Sequence, residues 1–294
     1  MLKFLVPIQK RVMLFICITV LCFVLGSVIV GVLTYNGSMT TPKVRIAMIL
    51  QDVMMWIVPA VVTAMMITRR PAEFLMVRRS IDLLMALLVC AVLLSSIPMM
   101  NVIISWNANI ELPESMSAMS QWMHSAEESA NHMVEVLIGG STAGSLIMGI
   151  LIVGLLAGFS EEIFFRGTVQ RLFTTANVNH HIAIWVTAII FTTVHFQFFG
   201  FVPRLLLGAY FGYVAYWSRN IWLAIIAHAF NNTLAVISFW VTPERMPIDL
   251  NSIGTDFSTP EKYLSAISLF VTSILLYVVY KLCRKHYVNQ TSCD

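Results

Sequence analysis

Charge is scarce in this chain. Only 11% of its 294 residues are Asp, Glu, Lys or Arg, against 58% that are hydrophobic. A soluble domain carries about 25% charged residues. The mean hydropathy is +0.81. A water-soluble fold is excluded on that ground, and the chain reads as an integral membrane protein. No basic stripe interleaved with aromatics is present, so nucleic acid is not an expected partner.

Paired cysteines are also lacking. Cys17, Cys22, Cys90, Cys283 and Cys293 are scattered, and none forms a CxxC. A disulfide framework or a cysteine metal site is therefore not expected. The cysteines read as small hydrophobes buried in helices. The HExxH pair of common zinc peptidases is missing, and so is the GxSxG turn of serine hydrolases. Ser160 reads as a small packing residue. No internal repeat or matched pair of broken helices points to a transporter.

What is present is a series of apolar runs of about 20 residues, the length needed to cross about 30 Å of hydrocarbon. Eight are read, at roughly 12–34, 46–68, 82–106, 144–165, 182–200, 202–218, 220–240 and 263–281. The stretch 182–240 has short breaks and also fits two spans with a re-entrant piece. The first run follows Lys10 and Arg11 without a clear small-x-small cleavage site, so a retained first span is expected rather than a signal peptide. The expected fold is all-α: one polytopic membrane domain over 1–294, a bundle of about eight transmembrane helices with its catalytic core at about 144–240.

The basic residues orient it. With the N-terminus inside, Lys3, Lys10, Arg11, Arg69, Arg70, Arg78, Arg79, Arg166, Arg171, Arg219, Lys281, Arg284 and Lys285 fall on the cytoplasmic side. Only Lys43, Arg45, Arg204, Arg245 and Lys262 fall opposite. This bias predicts both termini in the cytoplasm. The acidic interruption at about 111–137 then lies outside. Its Met116, Met119, Met123, Ala126, Ala130, Met133 and Leu137 share one helical face, which predicts an interfacial amphipathic helix over the outer end.

Within "GFSEEIFFRGTVQRLF", Gly158 to Phe173, two glutamates end an apolar run. Glu162 and Arg166 are four apart, share a helical face and can pair. Glu161 is then left without an evident partner. A carboxylate removed from water is a stronger base, which suits general-base work; a structural ion-pair cluster at a helix end is an equal reading of these residues alone. "FTTVHFQFFG" carries His195, expected inside the fifth span, with Phe191 one turn back. "HAFNN" carries His228, with Asn231 and Asn232 three and four residues on. Polar groups in hydrocarbon face the bundle interior, because facing lipid costs more. Glu161, His195, His228 and Asn232 around one cavity suit hydrolysis by an activated water, with His228 and Asn232 at the oxyanion. The helix depths suggest a cavity opening toward the cytoplasmic half.

These residues carry a resemblance. "EEIFFR" is similar to the EExxxR motif of the CPBP intramembrane proteases, the CAAX prenyl protease 2 and Abi bacteriocin-processing relatives. "FTTVH" resembles their FxxxH and "HAFNN" their HxxxN, in the same order, over about 158–235. The resemblance implies a glutamate-dependent endopeptidase with no metal and no cofactor. It implies that Glu161 activates the water, that Glu162 and Arg166 hold the site together, that His195 helps hold the water, and that His228 and Asn232 form the oxyanion site. Phe191 and Asn231 are expected beside them. The implied partners are a peptide or membrane-protein substrate, with or without a lipid, and the bilayer; the implied place is a bacterial inner (cytoplasmic) membrane. A zinc-dependent membrane hydrolase, a proton-coupled transporter and a non-catalytic scaffold are the competing readings.

Overall fold

The computed structural model describes residues 3–35, 40–138, 142–241, 255 and 262–291. Cys293 and Arg245 lie outside the described residues. The chain is built from helices: α1 (Ile8–Thr34), α2 (Thr41–Ile67), α3 (Leu83–Ala108), α4 (Ser117–Ile138), α5 (Ala143–Thr175), α6 (His180–Thr193), α7 (Phe201–Ser218), α8 (Ile221–Trp240) and α9 (Lys262–Thr291). No sheet forms among the described residues; one antiparallel bridge joins Phe4 and Thr68. This is an all-α, polytopic membrane protein.

Among the described residues, α1, α2, α3, α5, α8 and α9 make six helices long and apolar enough to cross a membrane. The expected eight spans are not reached. The apolar α6 has 14 residues, about 21 Å, which falls short of a bilayer core. The 18-residue α7 is outside the set as well. In contrast α5 runs for 33 residues, well past its expected end at 165. Arg166 reads in the sequence as a flanking charge, but it is fully buried, so it has no place in a count of loop charges.

Hydrogen bonds gather the helix termini at two ends. At one end, Arg11 donates to Thr175, Arg79 to the Ser218 carbonyl, Arg171 to the Phe74 carbonyl and Asn220 to the Ser80 carbonyl. This is the arginine-rich end. At the other, Arg45 of α2 donates to the Leu137 carbonyl and Asn107 of α3 donates to the Phe198 carbonyl. Leaving the arginine-rich end, α6 returns beside α5, and α8 runs antiparallel to α5.

Glycine sets the α5–α8 contact. A β-carbon on Gly158 would meet the Ala229 nitrogen at 2.9 Å, and one on Gly154 would meet Thr233 Oγ1 at 2.6 Å. One on Gly149 would meet Val236 Cγ1 at 3.1 Å. In hydrocarbon the attraction between helices comes from close packing, so small residues decide which faces meet. This approach brings the Glu161–Glu162 segment against His228.

α4 lies in the interruption and begins at Ser117. Met123, Ala126, Ala130 and Leu137 of the expected face are partly or fully buried, whereas the other three, Met116, Met119 and Met133, are exposed. Glu127 and Val134 are half-buried as well. Aromatic contacts decide this rotation. Trp122 lies 5.1 Å from Phe198, and His124 stacks on Phe199 at 4.5 Å.

Candidate active site

α5 presents Glu161 and Glu162 near its middle, 14 and 13 residues before its end at Thr175. The turn after α6 presents His195, 15 residues after His180 starts that helix at the same end. At 1.5 Å per residue these residues lie about 20–23 Å from the arginine-rich end. His195 is thus not inside a span, as the sequence suggests. α6 ends at Thr193, and Phe196 takes a left-handed φ of 52° that breaks the helix. Asn107 holds the turn: it donates to the Phe198 carbonyl at 3.1 Å and accepts from the Val202 N–H at 2.7 Å.

Arg166 donates to Glu162 Oε1 at 2.6 Å and to the Gly208 carbonyl at 2.8 Å. The pairing that the spacing predicts is present and wholly buried. Phe191 lies under the guanidinium, whose carbon stands 4.6 Å above the ring centroid, an attractive cation–π arrangement. Phe191 also packs edge-on against His195 at 4.8 Å.

His228 Nδ1 stands 2.8 Å from the same Glu162 Oε1. That oxygen already accepts from Arg166, so the imidazole N–H is the donor. His195 Nδ1 lies 2.7 Å from the Phe191 carbonyl, which can only accept, so this nitrogen too carries a hydrogen. Both Nε2 atoms then point at one place. Each is 3.8 Å from Glu161 Oε2. Glu161 Oε2 is buried and has no hydrogen-bond partner among the described residues.

At 3.8 Å neither histidine bonds Glu161 directly. A gap above 3.5 Å between polar atoms is the kind a water bridges. With neutral imidazoles, all three converging atoms are acceptors. A water supplies two hydrogens to such a cluster. His228 Nε2 can donate only as imidazolium, and Glu162 beneath Nδ1 is placed to stabilise that ion. Phe211 completes the histidine's seat, stacked 4.7 Å away at 16°. The sequence reading missed Phe211, since one phenylalanine in an apolar run carries no signal.

Asn232 lies one turn along α8 from His228, away from the arginine-rich end. Its Nδ2 donates to the Val153 carbonyl at 3.1 Å, and its Oδ1 faces Asn231 Nδ2 at 3.4 Å. Val153 sits in a wide, π-type turn of α5 over Ile150–Leu156. The structure therefore gathers Glu161, Glu162, Arg166, Phe191, His195 and His228 directly. It places Asn231 and Asn232 beside this group, tied to α5.

Exposure is one-sided. Glu161 is 12% and His195 26% exposed at their side chains. Toward the arginine-rich end, Glu162, Arg166 and Thr168 are fully buried and Gln170 is 2% exposed. This layer seals the site on the side from which the sequence suggested it opens. A cavity of about 420 Å³ at the arginine-rich end, lined by Gln170, Arg171, His180, Tyr216 and Arg219 among others, lies beyond that seal. Facing the end away from the arginines, Arg204 lies in the electrostatic field of Glu127 and Glu161. It donates to Gln197 Oε1 at 2.7 Å, and Gln197 in turn approaches Glu127 of α4 at 3.4 Å.

Among the described residues no group of three or more His, Cys, Asp or Glu is arranged to hold a metal ion. The cysteines described, Cys17, Cys22, Cys90 and Cys283, are free.

The family model of Rce1-like type II CAAX prenyl endopeptidases matches residues 143–234, about a third of the chain. The matched range runs from the start of α5 into α8 and contains each of the six residues gathered above. No curated protein and no solved structure matches the chain.

Proposed function

We propose that the chain is an intramembrane endopeptidase that hydrolyses a peptide bond with a water activated by Glu161. The observation that carries this reading is the convergence of His195 Nε2 and His228 Nε2 on Glu161 Oε2, each at 3.8 Å. A water held there donates to the carboxylate and to one imidazole, which raises its nucleophilicity toward a carbonyl. His195, fixed by the Phe191 carbonyl, orients that water. As the tetrahedral intermediate forms, the proton that Glu161 takes from the water is shared with His228 Nε2, which then donates to the oxyanion. Glu162 accepts from its other nitrogen. The second Nδ2 hydrogen of Asn232 is the further donor. Glu162 and Arg166 position the histidine and touch no reacting atom. The match to CAAX prenyl endopeptidases over residues 143–234 supports the class of reaction.

The proposed substrate is a peptide or membrane-protein segment, with or without a lipid, that reaches the site through the bilayer. We place the arginine-rich end and both termini in the cytoplasm of a bacterium, following the bias of basic residues. α6, packed on α5 and α7, and α7, packed on α3, α6, α8 and α9, complete an eight-helix bundle with no cofactor. The test is cleavage of a membrane-delivered fluorogenic peptide by the purified protein in liposomes. Activity lost in Glu161→Ala with the fold intact is the expected result. Equal turnover by the variant would sink the mechanism.

A further inference from the structure

α2 carries a carboxylate of its own into the bundle, and the mechanism above does not use it. Asp52 is 6% exposed. Its Oδ2 atom is buried with no hydrogen-bond partner among the described residues. An unpaired carboxylate at this depth is costly, so its neighbours matter.

The register of α2 on α5 identifies them. Trp56, one turn beyond Asp52, packs on Phe164 at 4.9 Å and on Phe165 at 5.2 Å. Both helices run toward the arginine-rich end. One turn back from each partner lie Asp52 and Glu161, at the same level on facing surfaces. Asp52 lies in the electrostatic field of Glu161 accordingly. Directly after Asp52, α2 widens into a π-type segment, Val53–Ile57, a distortion frequent at functional sites.

The charges that surround this spot are otherwise engaged. On α5, Arg166 is bound to Glu162 and the Gly208 carbonyl. On α8, His228 Nδ1 is bound to Glu162. On α7, Arg204 is bound to Gln197. α1 packs on the other side of α2 and brings its charges, Lys10 and Arg11, only at its arginine-rich start. The register leaves Asp52 and Glu161 at one level on neighbouring helices, and two carboxylates sharing a low-dielectric site do not both ionise.

We propose that Asp52 and Glu161 form a carboxylate pair that carries one proton, with Asp52 the general acid of the reaction. The inference rests on the peptidase reading. Peptide hydrolysis needs a base for the water and an acid for the leaving nitrogen. Glu161, flanked by two imidazoles, serves as the ionised member. Asp52, the less exposed of the two, holds the proton. The water oxygen bonds to the carbonyl carbon as Glu161 takes a proton from it. Asp52 gives its proton to the amide nitrogen as the C–N bond breaks. Carboxylic acid and amine leave, and the proton on Glu161 passes back to Asp52, restoring the pair.

Two readouts test this. Infrared spectroscopy of the full chain in nanodiscs at neutral pH should show a protonated-carboxyl carbonyl band with a component lost in Asp52→Asn, and in Asp52→Ala as a second variant. A band unchanged by both variants overturns the pair, and this measurement needs no turnover. The kinetic arm compares a membrane-delivered peptide with its 4-nitrophenyl ester, whose leaving group needs no proton. Asp52→Asn should slow amide cleavage by about 100-fold or more and spare the ester. Glu161→Gln should abolish both. Equal loss of amide and ester cleavage in Asp52→Asn removes the acid role. If the wild type turns over neither probe, the peptidase reading fails while the infrared band still decides whether the pair exists.

Discussion

His228 donates from Nδ1 to Glu162 Oε1 at 2.8 Å, the same oxygen that Arg166 binds. The second glutamate is thus more than a neutralised helix charge. It links the arginine that holds α5 against α7 to the histidine on α8, and so fixes which histidine nitrogen faces Glu161. Fold and site share one carboxylate.

Arg166→Ala should cost about 3–5 kcal/mol, since it leaves Glu162 buried without its cation. Thermal unfolding in detergent would show the loss. The double variant Arg166→Met, Glu162→Leu should recover much of the stability without recovering activity, because no side-chain oxygen is left to accept from His228 Nδ1. Restored turnover in the double variant would mean that Glu162 plays no orienting part.

Gly158→Ala should destabilise by about 1–3 kcal/mol, as overpacking in a close contact does. The new methyl would meet the Ala229 backbone at 2.9–3.0 Å, and backbone cannot swing aside. Gly31→Ala is the control, because its added β-carbon meets no such atom within 4 Å. Indistinguishable melting curves for the two variants would contradict the α5–α8 packing.

Access should come from the half of the bundle away from the arginine-rich end. In a background cleared of the native cysteines, His195→Cys should react with a membrane-impermeant thiol reagent added to that face. Gln170→Cys, at a position 2% exposed, should stay unmodified. Labelling of His195→Cys from the arginine-rich face alone would place the entrance on the opposite side of the Glu162–Arg166 layer.

Peptide cleavage should survive dialysis against a strong chelator. The proposed mechanism takes its base from Glu161 and its oxyanion donor from His228, so no step depends on a metal. Activity lost on chelation and restored by zinc would replace it with a Lewis-acid mechanism using the same two imidazoles.

Much of this was legible in the residues themselves. Scarce charge and long apolar runs require backbone groups to be satisfied within helices in lipid, and that makes the chain an all-α membrane protein. The four-residue spacing of Glu162 and Arg166 follows from helical geometry alone, so their pairing was readable. The positions of Glu161, His195, His228 and Asn232 stand out because polar side chains are rare in hydrocarbon. Asp52 carries the same signal inside the second run, and the sequence reading passed over it.

Tertiary structure decided the rest. Hydropathy records how apolar a stretch is, and it cannot report what covers a side chain. Arg166 reads as a flanking charge, yet Glu162, the Gly208 carbonyl and the Phe191 ring enclose it, and α5 continues past it. His195 reads as a residue within a span, but a left-handed Phe196 and the grip of Asn107 on the turn end α6 before it. The bond from His228 to Glu162 and the register of Asp52 on Glu161 join residues far apart in the chain. They depend on how closely three helices approach, which glycines on α5 and aromatic rings between α2 and α5 determine through packing.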